Sequence, residues 1–176
     1  MPDKKRILAI IGSTRKNSTN LQIVKAISKI FSEEAHFIIF DTIADLPHFN
    51  PDLDNDQLPE SIHAFREEIR IADGILICTP EYVFSLPGSL KNALEWIVST
   101  TLFSKKPAAL ITASASGEKA QEELNLIMKT LEANFNDSTT LLIKGARGKT
   151  DENGDIKEEE TKQNLKSVMT HFLELL

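Results

Sequence analysis

Apolar residues along the chain follow two rhythms, short unbroken runs and stripes spaced three or four positions apart. The first run, Arg6-Ile-Leu-Ala-Ile-Ile-Gly12, has the form of a parallel strand covered on both faces. Leu21, Val24, Ile27 and Phe31 then recur at helical spacing, so a helix follows and closes near Ser32-Glu-Glu34. His36-Phe-Ile-Ile-Phe40 predicts a short second strand, and Asp41 to Pro47 leaves it as loop. From Pro47 to Pro59 the chain carries three prolines and five Asp or Asn residues with little periodicity, which predicts a long surface excursion. It is either a functional loop or a plain crossover with an acidic skin.

Ile62, Phe65 and Ile69 stripe a second helix, which Asp73-Gly74 is expected to close with C-cap chemistry. Gly74 to Thr79 is the third strand, and Leu90, Ala93, Leu94 and Ile97 give the buried face of a third helix opening near Pro87-Gly88-Ser89. Trp96 borders that stripe, which points to core or subunit interface. Pro107 to Ala113 is strand four, Leu124, Ile127, Leu131 and Phe135 mark helix four, and Thr139 to Ile143 is strand five. Gly145 to Asp155 is expected to be a mobile loop, and a last helix buries Leu165, Val168, Met169 and Phe172. Five strands alternating with helices predict an α/β fold, a doubly wound five-stranded parallel sheet of order 2-1-3-4-5 with helices on both faces.

In that order the chain winds in opposite directions from strands one and three, and a crevice opens at their carboxyl ends. Three loops meet there. The first, Gly12-Ser-Thr-Arg-Lys-Asn-Ser-Thr-Asn20, turns from strand to helix and so offers free backbone N–H groups and the positive end of a helix dipole. Ser13, Ser18 and Thr19 add hydroxyls, Asn20 an amide and Arg15 a permanent cation, a donor set suited to a phosphate. An ordinary capped turn, with the polar side chains spent on the helix N-terminus, accounts for the same residues. The other two loops are Thr79-Pro-Glu-Tyr-Val-Phe-Ser-Leu-Pro-Gly88 and Ser114-Ala-Ser-Gly-Glu118.

Composition narrows the function. The 176 residues suit a single domain, and the net charge of -6 is the wrong sign for a nucleic-acid surface. The basic Lys4-Lys5-Arg6 reads as a solvated terminus. The single cysteine, Cys78, sits inside a strand as a small core residue and allows no internal disulfide. No signal peptide or membrane-spanning run is present, so the cytoplasm is the expected location. The four histidines lack metal-ligand spacing and none lies in the three loops, so no metal is expected. The loops lack a Gly-x-Ser-x-Gly elbow, a Gly-Lys-Ser/Thr phosphate loop and a Gly-x-Gly-x-x-Gly fingerprint. A phosphate cradle without acid, base or nucleophile points to chemistry carried by a bound cofactor, with no catalytic side chain.

The first loop, together with the run from Thr79 through Ser-Leu-Pro-Gly-Ser-Leu-Lys-Asn-Ala-Leu-Glu-Trp96, resembles the NADPH-dependent FMN reductase family, which includes chromate, quinone and azo-dye reductases. The second segment follows the family's Pro-Glu-Tyr-Asn, Ser-x-Pro-Gly and Leu-Lys-Asn-Ala run at nearly every position. The resemblance implies a flavodoxin-like fold, bound FMN and a homodimer or homotetramer. It implies hydride transfer from NAD(P)H through FMN to a small acceptor such as a quinone, azo compound, metal oxyanion or free flavin. Ser13, Arg15, Ser18, Thr19 and Asn20 would then hold the FMN phosphate. Pro80, Glu81, Tyr82, Val83 and Phe84 would line the ribityl chain and ring, largely through backbone groups, and Ser114, Ser116 and Gly117 would approach from the third loop. Lys91, Asn92 and Trp96 would serve packing and the subunit contact. Two positions depart from the family: Val83 stands where Asn is usual, and Glu118 replaces a further glycine. A flavodoxin-type electron carrier and a redox-silent FMN-binding sensor remain as alternatives.

Overall fold

The computed structural model describes residues 4–151 and 154–176. Strands β1 (Lys5–Ile11), β2 (Ala35–Phe40), β3 (Gly74–Thr79), β4 (Ala108–Ser114) and β5 (Thr140–Lys144) form one parallel sheet of order β2-β1-β3-β4-β5, as the alternation predicts. Helices α1 (Thr19–Ile30), α2 (Glu60–Ile71), α3 (Gly88–Glu95), α4 (Glu118–Thr130) and α5 (Glu159–Glu174) cover it. Successive strand residues point to opposite faces, so each strand feeds two cores. Leu8, Ile10, Ile75, Ile77 and Leu110 pack with Phe65 of α2, Leu90 of α3 and Leu124 of α4. Ile7, Ala9, Ile11, Leu76 and Ile111 pack on the other face with Val24 and Ile27 of α1 and Met169 and Phe172 of α5. Each fully buried Ile, Leu or Phe contributes about 1.5–3 kcal/mol, and these two layers hold the carboxyl rim of the sheet rigid.

The excursion after β2 is stitched down. The Pro47 carbonyl accepts from Asn92 Nδ2 at 3.0 Å and Trp96 Nε1 at 2.8 Å, and the Phe49 ring meets the Trp96 ring edge-on at 5.1 Å. Trp96 is fully buried, which makes it a core residue of this chain. Arg66 bridges the Asp54 carboxylate and the Trp96 carbonyl. Burial works against the Asp54 charge, but hydrogen bonds from Ser99 and Arg66 outweigh it and hold the carboxyl below its ordinary range.

Two local expectations are corrected. Asp73-Gly74 does not close α2 by C-cap chemistry: no positive φ occurs at Gly74, which begins β3. The α2 carbonyls are met by Lys106, whose Nζ donates to Ile69, Arg70 and Ala72, while the Asp73 carboxylate accepts from Arg6 N at 2.7 Å. Gly74 is small because α5 packs against it, where a Cβ would fall 2.6 Å from Leu176 Cδ2 and 2.7 Å from Phe172 Cζ. Helix α4 ends at Thr130, short of Phe135, because Glu132 turns left-handed at φ 61° and the Ala133 N–H closes onto the Met128 carbonyl at 3.0 Å. Phe135 still packs on the core, from the connecting segment. In the described part of 145–155, residues Ala146–Gly148 form a 3-10 turn, and buried Thr150 donates to Gln22 Oε1 at 2.9 Å. Residues 152–153 of that loop, and residues 1–3 of the polar lead-in, lie outside the described residues.

Candidate functional site

The β1 loop begins with a close approach. A Cβ on Gly12 would lie 2.3 Å from Thr79 Oγ1, so glycine lets the ends of β1 and β3 meet. Ser13 is buried with its Oγ accepting from Arg15 N at 3.4 Å. Ser18 is the N-cap of α1, accepting from Leu21 N at 3.1 Å, so the capped-turn reading holds for this hydroxyl's lone pair. Its hydrogen remains available to donate. Asn20 is 3% exposed and reaches across the sheet edge: Nδ2 donates to the Ala113 carbonyl at 3.2 Å and Oδ1 accepts from Cys78 Sγ at 3.3 Å. That clamp fixes the start of α1 over the end of β4. Burial pushes the Cys78 thiol pKa up, which keeps it a neutral packing group. Arg15 is exposed, and its guanidinium has no hydrogen bond or ion pair among the described residues.

In the β3 loop, Glu81 has turned away from the crevice to cap α4. Its carboxylate accepts from the N–H groups of Gly117 (3.2 Å), Lys119 (2.9 Å) and Ala120 (3.1 Å), which favours the helix dipole as well as satisfying its first donors. Gly117 itself sits at φ +93°, where a Cβ would fall 2.7 Å from Leu142 Cδ1. Beyond Glu81 the chain reverses in a two-residue turn, with Tyr82 N donating to the Ser85 carbonyl and Ser85 N to the Tyr82 carbonyl. Val83 (φ 53°) and Phe84 (φ 58°) are both left-handed and point out, 93% and 77% exposed. Glu123 of α4 holds the base of this turn, accepting from Ser85 Oγ at 2.7 Å and Leu86 N at 2.9 Å; these bonds lower its pKa. Ser116 donates to Glu118, which also pairs with Lys144; the Lys144 and Ser116 hydrogen bonds lower the Glu118 pKa. The departure at position 118 is therefore spent on a link to the end of β5.

A cleft of about 260 Å³ opens where these loops meet. Ser13, Arg15, Ser18, Thr19 and Asn20 line it from the β1 side, with Pro80 and Tyr82 from the β3 loop and Ser114 from β4. Glu81, Val83, Phe84, Ser116 and Gly117 do not line it: Glu81, Ser116 and Gly117 build the α4 cap, and Val83 and Phe84 stand beyond it. The sequence reading missed Ala113, Ala115, Gly145, Ala146 and Arg147. The signal for the last three was the strand order, which sets the loop after β5 beside the loop after β4. No carboxylate is in the lining among the described residues, although the whole chain is acidic. Hydroxyls, the N-terminal amides of α1 and two guanidinium groups with no counter-ion among the described residues match a phosphate dianion, and Pro80, Tyr82 and the alanines line the cleft beside them. The residues present therefore fit FMN, and no acid–base or nucleophilic pair accompanies them.

Residues 5–147 match the family described as NADPH-dependent FMN reductase. The chain is 34% identical to a 2-hydroxy-1,4-benzoquinone reductase of a Burkholderia species, over 95% of this chain and 93% of that protein. It is 30% identical to a quinone reductase of Escherichia coli K12, over 100% and 97% respectively. Among solved structures it superposes on the flavoenzyme NAD(P)H:(acceptor) oxidoreductase FerB of Paracoccus denitrificans with a TM-score of 0.75 and 26% identity, covering 97% of this chain and 96% of that one. The chain belongs to the NADPH-dependent FMN reductase family, flavodoxin-like oxidoreductases that carry hydride from NAD(P)H through FMN to an acceptor.

Proposed function

We propose that the cleft holds FMN with its phosphate on the β1 loop and its ring toward the β3 and β4 loops, and that the acceptor is a small quinone-type molecule. The carrying observation is the cleft's charge: among the described residues it has two unpaired guanidiniums and no lining carboxylate, on an acidic chain. Names of the relatives support the acceptor class. Ser13, Ser18, Thr19 and the α1 amides donate to the phosphate, Arg15 neutralises it, and Asn20 keeps the loop in place through Ala113. Pro80, Tyr82 and Ser114 touch the ribityl and ring portion; Glu81, Ser116 and Gly117 shape the loops around it. Val83 and Phe84 form an apolar rim that substrates pass. When bound, FMN supplies the redox chemistry, and the protein's part is to position it, exclude water from one face and stabilise charge through backbone donors.

A groove of about 190 Å³ between α3 and α4, lined by Leu94, Val98, Ile127 and Leu131, supports a homodimer through this face, alone or as half of a tetramer. Val98 of the groove is exposed, as is Leu126 of α4. No described helix is long and apolar enough to cross a membrane, and we assign the enzyme to the cytoplasm. Anaerobic stopped-flow mixing of the FMN-loaded protein with NADPH tests the reading. The visible flavin absorbance is expected to bleach and to return on addition of a benzoquinone. Flavin that stays coloured in NADPH and NADH alike would make the protein a carrier or sensor.

A further inference from the structure

Three cations stand on or beside the turn that follows β5, and two are already paired. Lys144 is bonded to Glu118 and Lys149 to Glu158. Arg147 is exposed, lines the cleft, and has neither hydrogen bond nor ion pair among the described residues. Its backbone is not free to wander. Gly145 takes φ +62° and donates its N–H to the Ala115 carbonyl at 3.1 Å, tying this turn to the β4 loop. Ala146 is 2% exposed, and the N–H groups of Gly148 and Lys149 close on the carbonyls of Gly145 and Ala146. A buried alanine between a left-handed glycine and a closed 3-10 turn fixes where the next side chain starts, and Arg147 stands among the residues that line the cleft.

We propose that Arg147 is the second cation of the phosphate site, meeting the FMN phosphate from the β5 side while Arg15 meets it from the β1 side. A phosphate monoester carries nearly two negative charges at neutral pH. One guanidinium leaves roughly half of that to neutral donors; two balance it, and the lining offers no carboxylate to compete. The inference rests on the FMN assignment and deepens it. Arg147 then sets selectivity for the phosphorylated flavin over riboflavin, which has the same ring and no charge.

Fluorescence titration of the flavin-stripped full chain with FMN and with riboflavin tests this. Arg147→Gln is expected to weaken FMN about tenfold, the scale of one charge-assisted contact in an open site, and to leave riboflavin within about twofold. It should also flatten the dependence of FMN affinity on salt, and Arg147→Lys should lie between the two. The melting temperature without flavin should not change, since no contact among the described residues is lost. Equal FMN affinity in wild type and Arg147→Gln, with the wild type still preferring FMN to riboflavin, would overturn the proposal and spare the FMN assignment. Equal weakening of both flavins would also overturn it, by moving Arg147 from the phosphate to the ring or the fold. A wild type that binds neither flavin would remove the FMN assignment and this proposal together.

Discussion

Val83 carries a β-branched side chain at φ 53° with 93% of it in solvent, so it bears a backbone penalty that no packing offsets. Asparagine tolerates this region, and Val83→Asn is expected to raise unfolding stability by about 1 kcal/mol, read from the urea midpoint. A lower midpoint would mean that the turn is not held left-handed in solution. Gly12 makes the opposite case. A methyl there meets Thr79 at 2.3 Å, and Gly12→Ala is expected to cost about 1–3 kcal/mol and to weaken FMN by parting the β1 and β3 loops. Arg15→Ala should weaken FMN roughly ten- to a hundredfold with no change in melting temperature of the flavin-free chain. Residues of this kind were legible in the sequence to different degrees. The β1-loop hydroxyls and Arg15 were legible as cleft-lining residues, because the strand order sets that loop at the carboxyl rim, although Ser18 also serves as the α1 cap. Asn20 lines the cleft as the loop reading expects, but its bonds to Ala113 and Cys78, 93 and 58 positions away, are contacts that no local pattern announces.

At the scale of elements, helix α4 and the β3 turn behave as one unit because two carboxylates join them. Glu81 reaches from the turn to the N-terminus of α4, and Glu123 reaches from α4 back to the base of the turn. Glu81→Ala strands the amides it accepts from and is expected to cost about 1–2 kcal/mol. It should also loosen FMN while leaving β1 and α1 unaffected, visible as faster hydrogen exchange confined to 79–88 and 114–120. Glu123 gives the pH dependence. Its pKa in the folded chain lies below the ordinary 4.5, so its contribution is full above the unfolded value and is lost as pH falls through the lowered one. Glu123→Gln should therefore be less stable than wild type at neutral pH, and the gap should close in acid denaturation as pH falls below the ordinary carboxylate range. The sequence carried the strands and helices but not this coupling, since Glu81 in a polar loop and Glu123 on an amphipathic helix look like ordinary surface charges. The β5 turn shows the same limit: glycine and charge predict a mobile loop but not the bond from Gly145 to Ala115 or the burial of Ala146, which set its first residues at the cleft.

For the whole molecule, the order β2-β1-β3-β4-β5 is what converts scattered loops into one site. The alternation of strand and helix points to a doubly wound sheet, for which this is a common order, and it brings the β1, β3, β4 and β5 loops to one rim. The α3–α4 groove shares no lining residue with the cleft, and Val98 in it and Leu126 of α4 are exposed. If copies meet there, Val98→Glu combined with Leu126→Glu should yield a monomer in light scattering with its FMN affinity within a few-fold of wild type; an unchanged mass would place the subunit contact elsewhere. The central claim is that the phosphate of FMN sits at the amino end of α1, inside the cleft between the β1, β4 and β5 loops. A crystal structure of the FMN complex tests it most directly. The account predicts phosphate density within about 3 Å of the N–H and hydroxyl groups between Ser13 and Thr19, with the ring toward Pro80 and Tyr82. Phosphate density anywhere outside that loop would contradict it.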